Sequence, residues 1–344
     1  MSNESYFIRS VNHLLRLTWV LIICVAASIA FFLGNAMGLF RWQPTNHGLA
    51  SATVSSVQNT GNQGTWQAPD TSQISEEPEA DLIYYGRELI AHTAAYLGPK
   101  GKILSISNGM NCQNCHLKAG TVPFGNNYGK VASTYPKLRN RSGMVEGFAK
   151  RINDCIERSL NGQKLDEDSR EMKAMVAYLK WVGKDVKKGE TPDGFGLIEV
   201  PMLNRPANPK RGQAVYQQYC GRCHGDNGQG EMAENGLEWK YPPLYGEYSY
   251  NKGAGLYRLS KFAAYVKSNM PYGVTYENPF LTDEEAWDVA AFVNSMPRPE
   301  KDLSEDWPDL SKKPIDHPFG PYSDSFSEEQ HKYGPFEPIK AQYQ

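Results

Sequence analysis

The chain has 344 residues, with 36 Lys and Arg against 38 Asp and Glu, for a formal net charge of −2. That length accommodates two domains plus appendages. Charge so nearly balanced gives no argument for a nucleic-acid partner.

Residues Leu17 to Leu33 (LTWVLIICVAASIAFFL) form an uncharged, mostly apolar run, preceded by Arg9 and Arg16 and extendable through Phe40. A spanning helix needs about 20 apolar residues, so the extended run predicts a transmembrane anchor. Positive charge before it would hold the N-terminus in the cytoplasm. The alternative is a cleaved signal peptide, although no Ala-x-Ala-like site directly follows the run. Cys24 lies within it and is expected to be a lipid-facing apolar side chain. Residues 1–44 are thus assigned to anchor or signal, and residues 45–79, rich in Ser, Thr, Asn, Gln and Gly without helical period, to a flexible tether.

A first domain is expected over residues 80–190. Its first helix, Ala80 to Leu97, places Leu82, Ile83, Gly86, Leu89, Ile90 and Ala94 on one stripe. A second helix, from about Gly143 to Leu160, would turn Val145, Phe148, Ala149, Ile152 and Ile156 inward. A third, from about Ser169 to Val182, would bury Met172, Met175, Val176 and Leu179. Between the first two lies Cys112-Gln113-Asn114-Cys115-His116.

A Gly-, Pro- and Lys-bearing linker leads to a second domain, 203–298, that repeats the plan. Asn208 as N-cap and Pro209 in the first turn start a helix that runs into Cys220-Gly221-Arg222-Cys223-His224. Thr282 and Glu285 form a capping box for the last helix, whose inward stripe is Ala286, Val289, Ala290 and Val293. Residues 299–344 lose periodicity and predict a tail wrapped over both domains, with His317 and His331 in surface or capping roles.

Each pentapeptide places two thiols where both can add to the vinyl groups of one haem, with the following histidine held under the iron. Two CxxC pairs can also share a structural zinc, and one alone can be a thioredoxin-like redox pair. Against zinc, each pair is followed at once by His, and the pairs are far apart in the chain. Against thioredoxin, no βαβ pattern surrounds either. The expected cofactors are two covalently bound haems c, on Cys112, Cys115 and His116 and on Cys220, Cys223 and His224. Such haem is assembled outside the cytoplasm, as the apolar N-terminal run requires. The location follows: the periplasmic side of a bacterial inner membrane, anchored, or soluble in the periplasm if the run is cleaved. Helices around haem without convincing strand alternation predict an all-α fold of two tandem cytochrome c domains.

One axial position remains on each iron, and Met usually fills it in electron-transfer cytochromes. Met270 stands on a loop just before the last helix and is the candidate for haem 2, ahead of Met232 and Met296. Phe262-Ala263 matches Phe148-Ala149, and Ala291-Phe292-Val293 matches Ala177-Tyr178-Leu179, at one common offset. At that offset Met270 lands within one residue of Cys155. Cys155 is therefore the candidate axial ligand of haem 1, the alternative being a buried structural cysteine. A thiolate donates more electron density than a thioether, so haem 1 would have the lower potential and electrons would run from haem 1 to haem 2.

Arg151 lies four residues before Cys155 and Ser159 four after, on one helical face, with Lys137, Arg139 and Arg141 just upstream. Such a cluster is either a solvated face or a site for oxyanions, to which guanidinium presents several donors.

The chain resembles the dihaem thiosulfate dehydrogenases over nearly all of Ala80 to Ile339. The resemblance rests on Gly109 to His116, on Arg151-Ile152-Asn153-Asp154-Cys155-Ile156-Glu157-Arg158-Ser159-Leu160-Asn161-Gly162, on Asn251-Lys252-Gly253-Ala254-Gly255 and on Asn269-Met270-Pro271. It implies His/Cys ligation of haem 1, His/Met ligation of haem 2 and a substrate pocket at haem 1 to which Arg141, Ser159 and Gln163 correspond. It also implies that two thiosulfate ions are joined to tetrathionate, with Cys155 carrying a sulfur adduct during turnover. The electrons would pass to a cytochrome c or a membrane oxidase. Members that exchange ligands on reduction carry Lys directly before the Met, and this chain departs from them with Asn269. A tethered two-haem electron carrier and a dihaem peroxidase remain the alternatives.

Overall fold

The computed structural model describes residues 14–26, 28–29 and 64–343. The chain divides into two compact units, Met1–Thr60 and Gly61–Gln344. In the first unit, residues 14–26 and 28–29 are helical and exposed. Thr18 and Ser28 turn their hydroxyls back onto the carbonyls of Leu14 and Cys24. Among the described residues no helix is long and apolar enough to cross a membrane. The predicted anchor is therefore not supported among the described residues. The rest of the apolar run, residues 27 and 30–40, and the tether up to residue 63 lie outside the described residues.

The end of the predicted tether is packed rather than loose. Trp66 donates its N–H to Asp193, and Asp70 caps a 3-10 helix, Thr71–Glu76, whose Ile74 is fully buried. Apolar anchoring offsets the ordering cost that a purely polar stretch could not meet.

The first half of this unit is built on α1 (Ala80–Ala91) and α2 (Thr93–Leu97), β1 (Lys137–Arg139) and β2 (Met144–Glu146), α3 (Phe148–Arg158) and α4 (Arg170–Val182). The predicted first helix is broken at His92, which is not helical. The predicted second helix begins later than expected, at Phe148, because Lys137–Glu146 closes into an antiparallel hairpin pairing Leu138 with Val145. Val145, expected inside, is 69% exposed on that hairpin. In α4 the expected Met172, Met175 and Leu179 are buried, and Ser169 caps its start by accepting from Met172 N–H.

The second half repeats this with α5 (Pro209–Tyr219), β3 (Glu231–Met232), β4 (Trp239–Tyr241), α6 (Leu259–Asn269) and α7 (Asp283–Ser295). Asn208 accepts from the N–H groups of Lys210 and Arg211, and the Thr282–Glu285 capping box forms as the sequence predicts. Ala286, Val289, Ala290 and Val293 are all buried.

Both halves close the same way. α1 crosses α4 at Gly86, where a Cβ would lie 2.0 Å from Ala174 O, and α5 crosses α7 at Gly212, where it would lie 1.8 Å from Asp288 O. Only glycine allows backbones that close. The tail then adds α8 (Glu328–Tyr333) and α9 (Glu337–Gln342). His317 and His331, expected in surface or capping roles, are buried, at 4% and 1% exposed. His331 sits between Ile315 O at 2.7 Å and Asp324 Oδ1 at 3.0 Å with Tyr322 stacked 3.7 Å away, so its partners satisfy the buried ring.

Candidate functional site

The first CxxCH is held as a tight turn. Asn111 exchanges hydrogen bonds with Asn114 and accepts from the Ala94 N–H, and the Cys112 N–H donates to Thr93 Oγ1 at 3.0 Å. His116 N–H returns to Cys112 O at 3.0 Å, and its ring stacks on Tyr128 at 4.5 Å. Nδ1 of His116 meets the carbonyl of Asn126, and Nδ1 of His224 meets Pro242 O at 2.8 Å. A carbonyl can only accept, so in each ring Nδ1 carries the proton and Nε2 keeps a lone pair for a metal. Burial depresses both histidines, His116 to about 4, with the Asn126 carbonyl opposing and Arg151 adding, so the rings are neutral. Burial also raises the thiols of Cys112, Cys115 and Cys220, keeping them protonated.

A mostly apolar cavity of about 300 Å³ opens beside this turn. Its lining includes Cys112, Cys115 and His116 of the turn, Arg151 and Cys155 of α3, and Ser159 directly after that helix. Helical spacing of four residues puts the last three on one face, as the sequence predicts. α3 is locked in place by Asn153, whose amide bonds both the N–H and the C=O of Leu165 at 2.9 Å. The Arg151 guanidinium is held above its usual range, chiefly by the sulfur charge of Cys155, with burial opposing. The donor set fits a haem: two thiols on one turn, an imidazole with Nε2 available, a further sulfur on α3 and apolar sides between.

Lys137 and Arg139 of the expected basic cluster also line the cavity, as does Lys130, which the sequence did not single out. Lys137 and Arg139 occupy alternate positions of β1, so one face of the strand carries both. Arg139 Nε is 3.7 Å from Glu146 Oε2 across the hairpin. A period of two in Lys137-Leu138-Arg139 was the signal available, but three residues are too few to establish it.

Arg141 and Gln163 are not among the lining residues. Arg141 donates from Nη1 to Gly253 O at 2.8 Å and lies 5.4 Å from the centre of the Trp307 ring. Burial, then repulsion from Arg158, lowers its pKa to about 10, leaving it charged at neutral pH. The Gln163 N–H bonds Ile106 O at 2.9 Å. Met270 follows α6 directly, whereas Cys155 lies inside α3, so the two candidate ligands occupy different places on equivalent helices. α6 also touches the first attachment loop: Tyr265 OH donates to Asn114 O at 2.8 Å and Asn269 Nδ2 to Phe124 O at 3.2 Å.

Residues 209–297 match the cytochrome c family model, and residues 104–187 the SoxA/TsdA cytochrome c domain. A thiosulfate dehydrogenase from Psychrobacter arcticus is 33% identical over 259 residues, covering 75% of this chain and 76% of its own. The chain belongs to the thiosulfate dehydrogenase family. Another member, from Stutzerimonas stutzeri, is 34% identical over 239 residues, covering 68% and 73% of the two chains. Among solved structures, the thiosulfate dehydrogenase TsdBA from Marichromatium purpuratum in its as-isolated form superposes with a TM-score of 0.62 at 29% identity. That match covers 68% of this chain and 50% of that one, so the chain spans half the length of this structural relative. As a family member with two cytochrome c domains, the chain carries two covalently bound c-type haems. Mass spectrometry of the purified protein should show two added haem masses, and replacing Cys220 and Cys223 by Ala should remove one of them. A single haem in the unaltered chain would contradict the assignment.

Proposed function

We propose that the chain joins two thiosulfate ions through their outer sulfurs to form tetrathionate, releasing two electrons, on the periplasmic side of a bacterial inner membrane. The observation that carries this reading is the cavity that Cys155, Arg151, Ser159, Lys137 and Arg139 line together with the first attachment turn. Two dianions repel each other, and four cationic side chains around one cavity, Lys130, Lys137, Arg139 and Arg151, offset that repulsion. Ser159 is positioned to donate a hydrogen bond to a sulfonate oxygen. The Cys155 thiolate takes one thiosulfate as a Cys-S–S-sulfonate, forming one S–S bond and giving up two electrons. The outer sulfur of the second thiosulfate then attacks the sulfur bonded to Cys155, so tetrathionate leaves and the thiolate is restored. When bound, the haems supply two one-electron acceptors, with a route from the haem on Cys112 and Cys115 to that on Cys220 and Cys223 and on to a cytochrome. His116 and Cys155 would hold the iron of the first haem, and His224 and Met270 that of the second.

Steady-state assays with thiosulfate and with peroxide separate this reading from its alternatives. Tetrathionate should appear at half the rate of thiosulfate loss, with two electrons delivered per tetrathionate. Turnover of peroxide alone would assign a peroxidase, and no turnover of either a plain electron carrier.

A further inference from the structure

The C-terminal tail reaches the helix and the hairpin that line the cavity through two consecutive residues, Asp306 and Trp307. Asp306, whose side chain is 9% exposed, accepts two hydrogen bonds from Arg158, at 2.8 and 2.7 Å, and lies 4.0 Å from Arg141 Nε. Arg158 is the last residue of α3 and is followed directly by Ser159 on the cavity wall. The next residue, Trp307, donates its N–H to Arg141 O at 2.7 Å, in the turn that joins β1 to β2. Trp307 holds a φ of +63°, a conformation that bulky side chains rarely adopt and that persists only where its surroundings fix it. The two walls that carry the cations, α3 with Arg151 and the hairpin with Lys137 and Arg139, are therefore tied to one short piece of tail.

We propose that Asp306 is a positioning residue: by pairing with Arg158 on α3 and facing Arg141 on the hairpin, it sets the spacing of the cationic groups across the cavity and hence the affinity for the anionic substrate. This rests on the function proposed above. A bidentate pair fixes direction as well as distance, and removing one buried partner leaves the other uncompensated.

Asp306→Asn keeps the shape and removes the charge. It should raise the thiosulfate KM about tenfold while kcat changes less than threefold, because an interaction shared by ground and transition states is lost. Amide hydrogens of residues 137–146 should exchange at least tenfold faster, and Asp306→Glu should recover more than half of both effects. Arg158→Gln cuts the same pair from the other side, so the double variant should be no worse than either single one. Unchanged KM with unchanged hairpin exchange would overturn the proposal. So would additive effects in the double variant, or exchange that accelerates throughout the chain with loss of haem, which would mark a role in general stability alone. If the unaltered protein does not turn over thiosulfate, the function above fails by itself, and exchange at residues 137–146 still decides whether Asp306 holds the hairpin.

Discussion

Cys155→Met should retain both haems and lose about a thousandfold in turnover. Attachment depends on Cys112, Cys115, Cys220 and Cys223, none of which the substitution touches. A neutral thioether stabilises ferric iron less than a thiolate, so the potential of the first haem should rise. A higher potential makes that haem the better oxidant, and a sulfur acting only as ligand would then leave turnover intact or improved. If the thiolate instead carries the sulfur adduct, the nucleophile is gone and the loss corresponds to roughly 4 kcal/mol of barrier. Potentiometry and stopped-flow reduction by thiosulfate check the two halves separately. Near-normal turnover would sink the covalent step, and an unmoved potential would sink Cys155 as a ligand.

The second large effect contrasts two neighbouring arginines. Arg139 lines the cavity and Arg141 does not, so Arg139→Ala should lower kcat/KM for thiosulfate ten- to a hundredfold, about 1.5 to 3 kcal/mol for one charge-assisted contact. Arg141→Ala, which leaves the Gly253 carbonyl without its 2.8 Å donor, should act mainly on thermal stability. Its kinetic loss should be smaller than that of Arg139→Ala at the same salt concentration. Equal losses would return both residues to a shared surface field, and a larger loss at Arg141 would restore the pocket that the family resemblance implies.

That contrast shows where the chain was legible and where it was not. The Asn208–Pro209 helix start and the Thr282–Glu285 box depend on residues within a few positions of one another, and each formed as expected. The face shared by Arg151, Cys155 and Ser159 followed from one helical period. The hairpin over 137–146 was hidden because its strands are three residues long and Val145 matched a helical stripe. Arg139 ends β1 and Arg141 lies in the turn beyond it, so the two are set by different local backbone, which their spacing in the sequence does not show. The Asp306–Arg158 pair joins residues 148 apart in the chain, and no local pattern announces such a contact.

The glycine crossings also set an order of assembly. In chain order Gly86 precedes the first CxxCH and Ala174 follows it; Gly212 and Asp288 likewise flank the second. Each attachment motif therefore emerges during synthesis before the helix that will close over it exists. Its cysteines stay open to modification for as long as that loop takes to form, an interval set by chain length and closure entropy. The first half can seal while the second is still being made, and the tail that grips both arrives last. Cysteines left unmodified when the closing helix docks would be sealed in a half without its cofactor, so the timing of closure sets the deadline for attachment.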